Sequence, residues 1–336
     1  MSLPSISIIV PVFNVGPYVE GCIRSVMRQT YTGSMECIIV DDCGSDDSME
    51  IVEQLTSEYD GPISFKILHH ANNRGLSAAR NTGTDAATGD YFFFLDSDDE
   101  ITEECIENLV KPLATWRFDV VEGLLYDSYG KVPLLESTKE TVVLFPPNIL
   151  QEYKRKWGVP ACNKLYRASF LQVNQLRFKE GIIHEDVLWS FQIACVATSL
   201  CVVNTITYLY NRREGSITTT LDYESLREKS RIIILKEMGA FASSHGAKSK
   251  DTFRLFSHVF YETINYYSSA PALFVETYKS LRPLFHVSII SLLKKNQHSI
   301  KGLLHDFHYL LPLCFAPYWQ YFVYHRLRPL LRHRGL

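Results

Sequence analysis

Four acidic side chains crowd the stretch FLDSDDE, where Asp96, Asp98, Asp99 and Glu100 follow directly on the apolar run YFFFL. Carboxylates that close repel one another unless a cation neutralises them. Hard divalent ions such as Mg²⁺ or Mn²⁺ prefer oxygen ligands, and an ion held by one or two carboxylates keeps positions open for the oxygens of a diphosphate. The candidate metal ligands are Asp98 and, beside it, Asp96. Two other readings compete. In one the stretch is a solvated turn, with Asp99 and Glu100 facing the dipole of a helix that starts after Thr102. In the other it is a calcium loop, since Asp96, Asp98, Glu100 and Glu107 match positions 1, 3, 5 and 12 of an EF-hand. Ile101 stands where that loop's sharp turn demands glycine, and a strand precedes it where a helix should. A second acidic pair, Glu185 and Asp186, opens an apolar helical segment whose dipole would favour both charges.

The elements that must position these groups follow from hydrophobic periodicity. SISIIVPVFN reads as a first strand, with Pro11 expected to end its ladder for lack of an N–H. Val19, Cys22, Ile23, Val26 and Met27 follow at helical spacing. ECIIVDD is a second strand, and Asp47 with Glu50 suggests a capping box for the helix after it. ISFKILHH is a third strand. GLSAARNTGTDAATGD predicts a helix from about Ser77 to Gly89, with Ala78, Ala79, Ala86 and Ala87 permitting close approach to a sheet. YFFFLDSDD then reads as a strand buried on both faces. The result is an α/β class with a mostly parallel central sheet flanked by helices. Ligands bind at the carboxyl ends of such strands, where Asp41, Asp42, Asp96, Asp98 and Asp99 all stand. Past about residue 115 short strands and loops mix, a helix is expected from Glu185 to about Ala197, and CVVNTITYLYNRREGSIT supplies strands and a basic loop. From Asp222 the chain reads as a helical extension broken by Gly239, Gly246, Pro271, Pro283 and Gly302.

A length of 336 residues with 46% hydrophobic content supports about two domains. The net charge of −3 conceals an asymmetry, for seven Lys or Arg stand against Asp306 alone from Lys294 onward. An acidic body with a basic tail argues against nucleic acid and leaves anionic membrane surfaces open. The eight cysteines form no CxxC pair and read as reduced core residues of a cytoplasmic chain. The start of the chain lacks signal-peptide features, so export is not expected. Leu310 to Tyr324, interrupted by Pro312, Pro317 and Gln320, is too short to span a bilayer. The tail from Leu303 mixes Phe, Tyr and Trp with Arg and His, a composition suited either to the membrane interface or to helices packed on the body.

SIIVPVFN, IIVDDCGSDDS, NRGLSAARNTG, FLDSDD and HEDVLWS, in that order over roughly residues 5 to 215, resemble a family 2 glycosyltransferase of the inverting type, with the GT-A fold. One departure is Cys43, where relatives often carry glycine, with Gly44 one place later. The resemblance implies that Asp41 accepts a hydrogen bond from a uracil or thymine N3–H in a pocket shaped by Pro11 and Phe13. It implies that Asp96 holds the ribose and Asp98 the metal, and that Arg74 and Arg80 meet the phosphates or brace the acidic motif. Either arginine could equally be a buried partner for an Asp. Asp42, Asp46 and Asp47 read as turn and capping residues. In the motif HED the resemblance makes Asp186 the general base and Glu185 its orienting neighbour, with His184 structural. A sugar hydroxyl is a poor nucleophile and needs such a base. Arg212 and Arg213 stand on a loop that could close over a diphosphate or be a solvated turn.

The expectation is therefore transfer of a sugar from a nucleoside-diphosphate donor, UDP foremost, to a hydroxyl of a glycan or lipid-linked glycan acceptor, assisted by Mn²⁺ or Mg²⁺. Residues 1–115 would form the donor half, 116–220 the acceptor half with the base, and 221–336 a helical region with a membrane role at the inner face of the cell membrane. The rivals are a fold-sharing protein that binds nucleotide or cation without turnover, and a nucleotidyltransferase, which the lack of a Gly-rich triphosphate loop with Lys disfavours.

Overall fold

The structure, a computed structural model, describes residues 2–127, 141–146, 149, 159–212, 224–245, 271–282, 303 and 306–323. The chain divides into two compact units, Met1–Glu224 and Ser225–Leu336.

The first unit is built on a nine-stranded sheet. Its strands are β1 (Ile6–Val12), β2 (Met35–Asp41), β3 (Ser64–His69), β4 (Tyr91–Phe94), β5 (Glu100–Ile101), β6 (Val120–Asp127), β7 (Val142–Leu144), β8 (Lys164–Arg167) and β9 (Leu200–Tyr210). The helices are α1 (Gly16–Met27), α2 (Ser48–Glu58), α3 (Leu76–Ala86), α4 (Cys105–Val110), α5 (Ala168–Val173) and α6 (Glu185–Val196). The order runs β3-β2-β1-β4-β8-β6-β9-β5, with β7 also on β9. The first four strands pair in parallel. Antiparallel pairs enter where β8 meets β4 and β6, and where β9 meets β5 and β7. The chain moves outward from β1 to β3, then crosses back to place β4 on the other side of β1. This reversal opens a crevice at the carboxyl ends of β1 and β4, the place where open α/β sheets bind ligands.

Pro11 does not end β1. The strand runs on to Val12, and Pro11 pairs in register with Val40. The reason lies in the other edge. Leu95 N–H donates to the Ile9 carbonyl, so odd-numbered residues of β1 face β4. The β1–β4 ladder closes at Ile9–Phe94, and the missing N–H of Pro11 faces an edge already free of ladder bonds. α3 ends at Ala86, three residues before the expected Gly89. Gly83 lies so near the sheet that an added Cβ would stand 2.4 Å from Ile9 Cγ2. Asp47 is the N-cap residue of α2 but makes no side-chain capping bond. Asp46 serves that end: its Oδ1 accepts from the Ser48 N–H and hydroxyl. Five cysteines are buried as expected of core residues, Cys195 is intermediate, and Cys43 and Cys314 are exposed.

Among the described residues the second unit contains α7 (Glu224–Ser244), α8 (Pro271–Leu281) and α9 (Ala316–Phe322), with α7 opening on the last residue of the first unit. Phe274 and Tyr278 of α8 are buried, against Tyr321 and His308 respectively. Among the described residues no helix is long and apolar enough to cross a membrane.

Candidate active site

The last register rung of the three leading strands aligns Val12, Asp41 and His69. Residues just past it therefore meet at one edge. Asp41 Oδ1 accepts from the N–H groups of Cys43 and Gly44 at 2.9 and 3.3 Å, and Oδ2 lies 3.0 Å from His69 Nδ1. A carboxylate has more lone-pair sites than these bonds use. Pro11 is buried, and Phe13 is 42% exposed at the mouth of the β1–α1 turn. Asn14 Oδ1 accepts from Ser45 N–H and Asp46 Oδ2 from Gly16 N–H, stitching that turn to the one after β2. Cys43 takes a φ of 60°, a left-handed conformation that glycine would adopt without cost.

Asp42 turns inward. Its Oδ1 lies 2.7 Å from His70 Nδ1 and accepts from Arg74 N–H, and its Oδ2 accepts from Gly75 N–H. One buried carboxylate thereby fixes the loop that launches α3, at a Gly75 whose φ of 86° suits glycine. The side chain of Arg74, half exposed, pairs with Glu180 at 3.3 Å.

α3 in turn grips the segment leading to HED. Asn81 brackets the backbone of Phe178, donating to its carbonyl and accepting from its N–H. Asp85 pairs with Arg177 through both oxygens. Phe178 stacks on Trp189 of α6 at 4.1 Å and meets Phe94 of β4 edge-on at 5.1 Å. Through these contacts the start of α6 is held against the end of β4. His184, the N-cap of α6, has a φ of 60°, a left-handed turn immediately before the acidic pair.

Arg80 joins the two acidic motifs. Its side chain is 3% exposed, with Nη2 at 2.6 Å from Asp96 Oδ1 and Nη1 at 2.7 Å from Glu185 Oε1. Burial opposes its charge, but Asp96 and Glu185 outweigh that and raise its pKa further. The ring of Phe178 covers the guanidinium carbon at 5.1 Å. Of the roles the sequence left open for Arg80, buried ion-pair partner is the one these contacts describe. Asp186, next to Glu185, accepts from Val187 N–H through Oδ1. Burial first, then the Glu185 carboxylate, push its pKa up to about 7. A carboxyl tuned into that range exchanges protons readily near neutral pH.

The acidic cluster itself splits. Asp99 is buried, accepting from the Tyr208 hydroxyl at 2.7 Å and from Asn211 N–H at 2.8 Å. Burial, then Asp96 and Asp98, push its pKa up to about 9. Asp99 is thus an anchor for the end of β9. Asp96 and Asp98 remain partly accessible to solvent. The two partly accessible carboxylates, Asp96 and Asp98, are the oxygen donors a hard divalent ion would take. Among the described residues no group of three or more His, Cys, Asp or Glu is placed to hold a metal ion by itself. One or two carboxylates completed by phosphate oxygens and water is the arrangement magnesium-like ions commonly use. Arg212 Nη2 meets Asp127 Oδ2, and Arg213 lies outside the described residues.

The sequence left Tyr208, Asn211 and His70 without a role, and read Asp42 as a turn residue without its partner His70. Tyr208 sits in an apolar strand and reads as core, and its hydroxyl partner lies 109 positions away. Asn81 and Asp85, spaced by four on α3, carried the signal of a shared face. A cavity of about 840 Å³ lies elsewhere, around Pro4, Tyr91, Arg117 and Arg167, and none of the expected site residues lines it.

Residues 7–173 match the model of Glycosyl transferase family 2. The chain is 30% identical over 227 residues to glycosyltransferase GlyG of Streptococcus pneumoniae, covering 64% of this chain and 73% of GlyG. It is 31% identical over 265 residues to glycosyltransferase GlyA of the same organism, a match spanning 71% of this chain but 36% of GlyA. Among solved structures, the 1–349 fragment of Staphylococcus aureus TarS in complex with UDP-GlcNAc superposes with a TM-score of 0.74 at 21% identity, covering 98% of this chain and 92% of that one. At that identity the likeness is one of fold.

Proposed function

Because the chain belongs to glycosyl transferase family 2 and has the GT-A fold, we propose that it transfers one sugar, with inversion, from a nucleoside-diphosphate donor to a hydroxyl of a glycan or lipid-linked glycan acceptor. The observation that carries the reading is Arg80, whose guanidinium ties Asp96 of the strand-end cluster to Glu185 of the helix-end pair. That tie supports a reading in which donor-binding and proton-accepting groups share one crevice. UDP is the proposed nucleotide. The complexes of TarS, a poly(ribitol-phosphate) β-N-acetylglucosaminyltransferase, with UDP and UDP-GlcNAc in the same fold support it.

In this reading residues 1–115 bind the donor, 116–220 supply the acceptor side and the base, and 221–336 form the helical extension. Asp41 accepts from the base N3–H, between Pro11 and Phe13. Asp96 receives the ribose, with its other oxygen held by Arg80. Arg74, half exposed at the mouth, and Arg212 with Arg213 on the loop after β9 neutralise the diphosphate. Asp98 and Asp96 hold Mn²⁺ or Mg²⁺, which when bound offsets the charge of the departing nucleoside diphosphate. Asp186 takes the acceptor hydroxyl's proton as that oxygen attacks the anomeric carbon from the face opposite the leaving group. Glu185, fixed by Arg80, orients Asp186 and keeps its pKa high. A resting base near neutrality needs no external activation.

The test is a panel of nucleotide sugars with Mn²⁺, reading nucleotide released by slow hydrolysis. Release from UDP-sugars that falls to background on adding chelator is expected. No release from any donor would overturn the reading. Asp186→Asn separates an enzyme from a binding protein, for it should retain UDP affinity while losing turnover.

A further inference from the structure

Two arginine–glutamate pairs join the region of α3 to the segment that leads into HED. Arg80 and Glu185 form the buried one, with side chains 3% and 9% exposed and 2.7 Å apart. Arg74 and Glu180 form the other, and it differs in kind. Both side chains are nearly half exposed, and one hydrogen bond, from Nη2 to Oε2 at 3.3 Å, joins them. That length lies past the usual range, and an exposed ion pair of this sort contributes little to stability. Each end is held in place by other means. The Arg74 N–H is fixed by the buried Asp42 carboxylate, and Glu180 Oε1 accepts from Asn81 Nδ2 at 3.2 Å. Arg177, another nearby cation, is taken by both oxygens of Asp85. Breaking the Arg74–Glu180 contact therefore costs little and disturbs neither anchor.

A guanidinium offers five N–H donors in a planar fork that suits phosphate oxygens, and a carboxylate beside it competes for the same donors. Glu180 engages an outer nitrogen of Arg74 and sets a negative charge beside any diphosphate that approaches it. An anion of higher charge that accepts through two oxygens outcompetes a carboxylate held by one long bond. We propose that Glu180 restrains donor binding: its carboxylate holds Arg74 until the donor's diphosphate takes the guanidinium over. The same exchange run backwards assists departure of the nucleoside diphosphate product. The inference rests on the reading of Arg74 as a phosphate contact in the proposed function.

The test is a double-mutant cycle on the full chain, with Glu180→Gln, Arg74→Ala and the two combined, read by calorimetric titration with UDP and Mn²⁺. Gln keeps an acceptor oxygen for Asn81 and removes the charge. Glu180→Gln is expected to tighten UDP binding about two- to fivefold, the range of an exposed ion pair. Arg74→Ala is expected to weaken it about tenfold. Adding Glu180→Gln to Arg74→Ala should change nothing, because the guanidinium over which the two anions compete is gone. Uridine, which has no diphosphate, should bind all four proteins alike. Unchanged or weaker UDP binding in Glu180→Gln overturns the inference, as does a gain that persists without Arg74 or appears equally with uridine. A parent protein that does not bind UDP, or an Arg74→Ala variant that binds it as the parent does, overturns the phosphate role of Arg74 itself, and the inference falls with it.

Discussion

At the residue scale the central quantity is the proton on Asp186. Burial and the neighbouring Glu185 push its pKa up to about 7, so the basic form grows as pH rises through neutrality. Turnover should rise along that limb, and Asp186→Asn should lower kcat by about 10² to 10⁴. Glu185→Gln removes a like charge and leaves Arg80 less compensated. Both effects lower the Asp186 pKa, so the limb should move to more acidic pH in a rate profile. The same raised pKa acts on stability with the opposite sign. Between about 4 and about 7 the folded protein keeps a proton that the unfolded chain has lost, so this group's contribution falls as pH rises across that window. Measured unfolding of Asp186→Asn should lack that decline; a rate limb and a stability slope unchanged in the variants would remove Asp186 from the role. The acidic motif was legible because four carboxylates after an apolar strand have few neutral explanations. Which of them turns inward was not, since Asp99 is chosen by Tyr208 and Asn211, 109 and 112 positions away.

At the element scale α3 is the beam between the two motifs, with Arg80, Asn81 and Asp85 all reaching residues 177–185. Its seat on β1 requires Gly83, because a Cβ there would meet Ile9 Cγ2 at 2.4 Å. Gly83→Ala gains about 1 kcal/mol of helix propensity, while forcing apart a packed helix and strand costs about 1–3 kcal/mol. A net loss of about 1 kcal/mol in urea denaturation is expected, with turnover falling more than stability because Arg80 shifts with the helix. A stabilised, fully active variant would show the contact to be slack. The sequence announced this helix through its small residues, and its true end at Ala86 differs from the expected Gly89. Small residues declare that a close approach exists and leave open which position makes it. Pro11 failed as a stop signal for a related reason: a proline interrupts only the edge its nitrogen faces, and strand order fixes which edge that is. Asp47 likewise yielded the capping bond to Asp46, whose carboxylate also binds Gly16 N–H across the sheet edge.

At the scale of the whole molecule, the order β3-β2-β1-β4 gathers the ends of strands far apart in sequence. Periodicity gave these four strands and put the ligand site at their carboxyl ends, but strand order depends on where crossovers land, so the position of the crevice between β1 and β4 was not legible. Two units with separate contacts, Met1–Glu224 and Ser225–Leu336, make unfolding by a single transition unwarranted. Every residue proposed for the donor lies in the first unit. UDP with Mn²⁺ at about 100 times its dissociation constant should therefore stabilise that unit by about 2.7 kcal/mol, and raise its midpoint by about 5–10 °C in calorimetry. Gly83→Ala identifies the transition, since it lowers the midpoint of the same unit. Asp98→Asn should abolish the shift produced by the nucleotide and metal together, whereas Asp186→Asn should preserve it, because the proposed base would meet the acceptor and not the nucleotide. A shift lost equally in both variants would mean that binding and proton transfer are not divided between the two motifs, and the assignment of Asp186 would have to be given up.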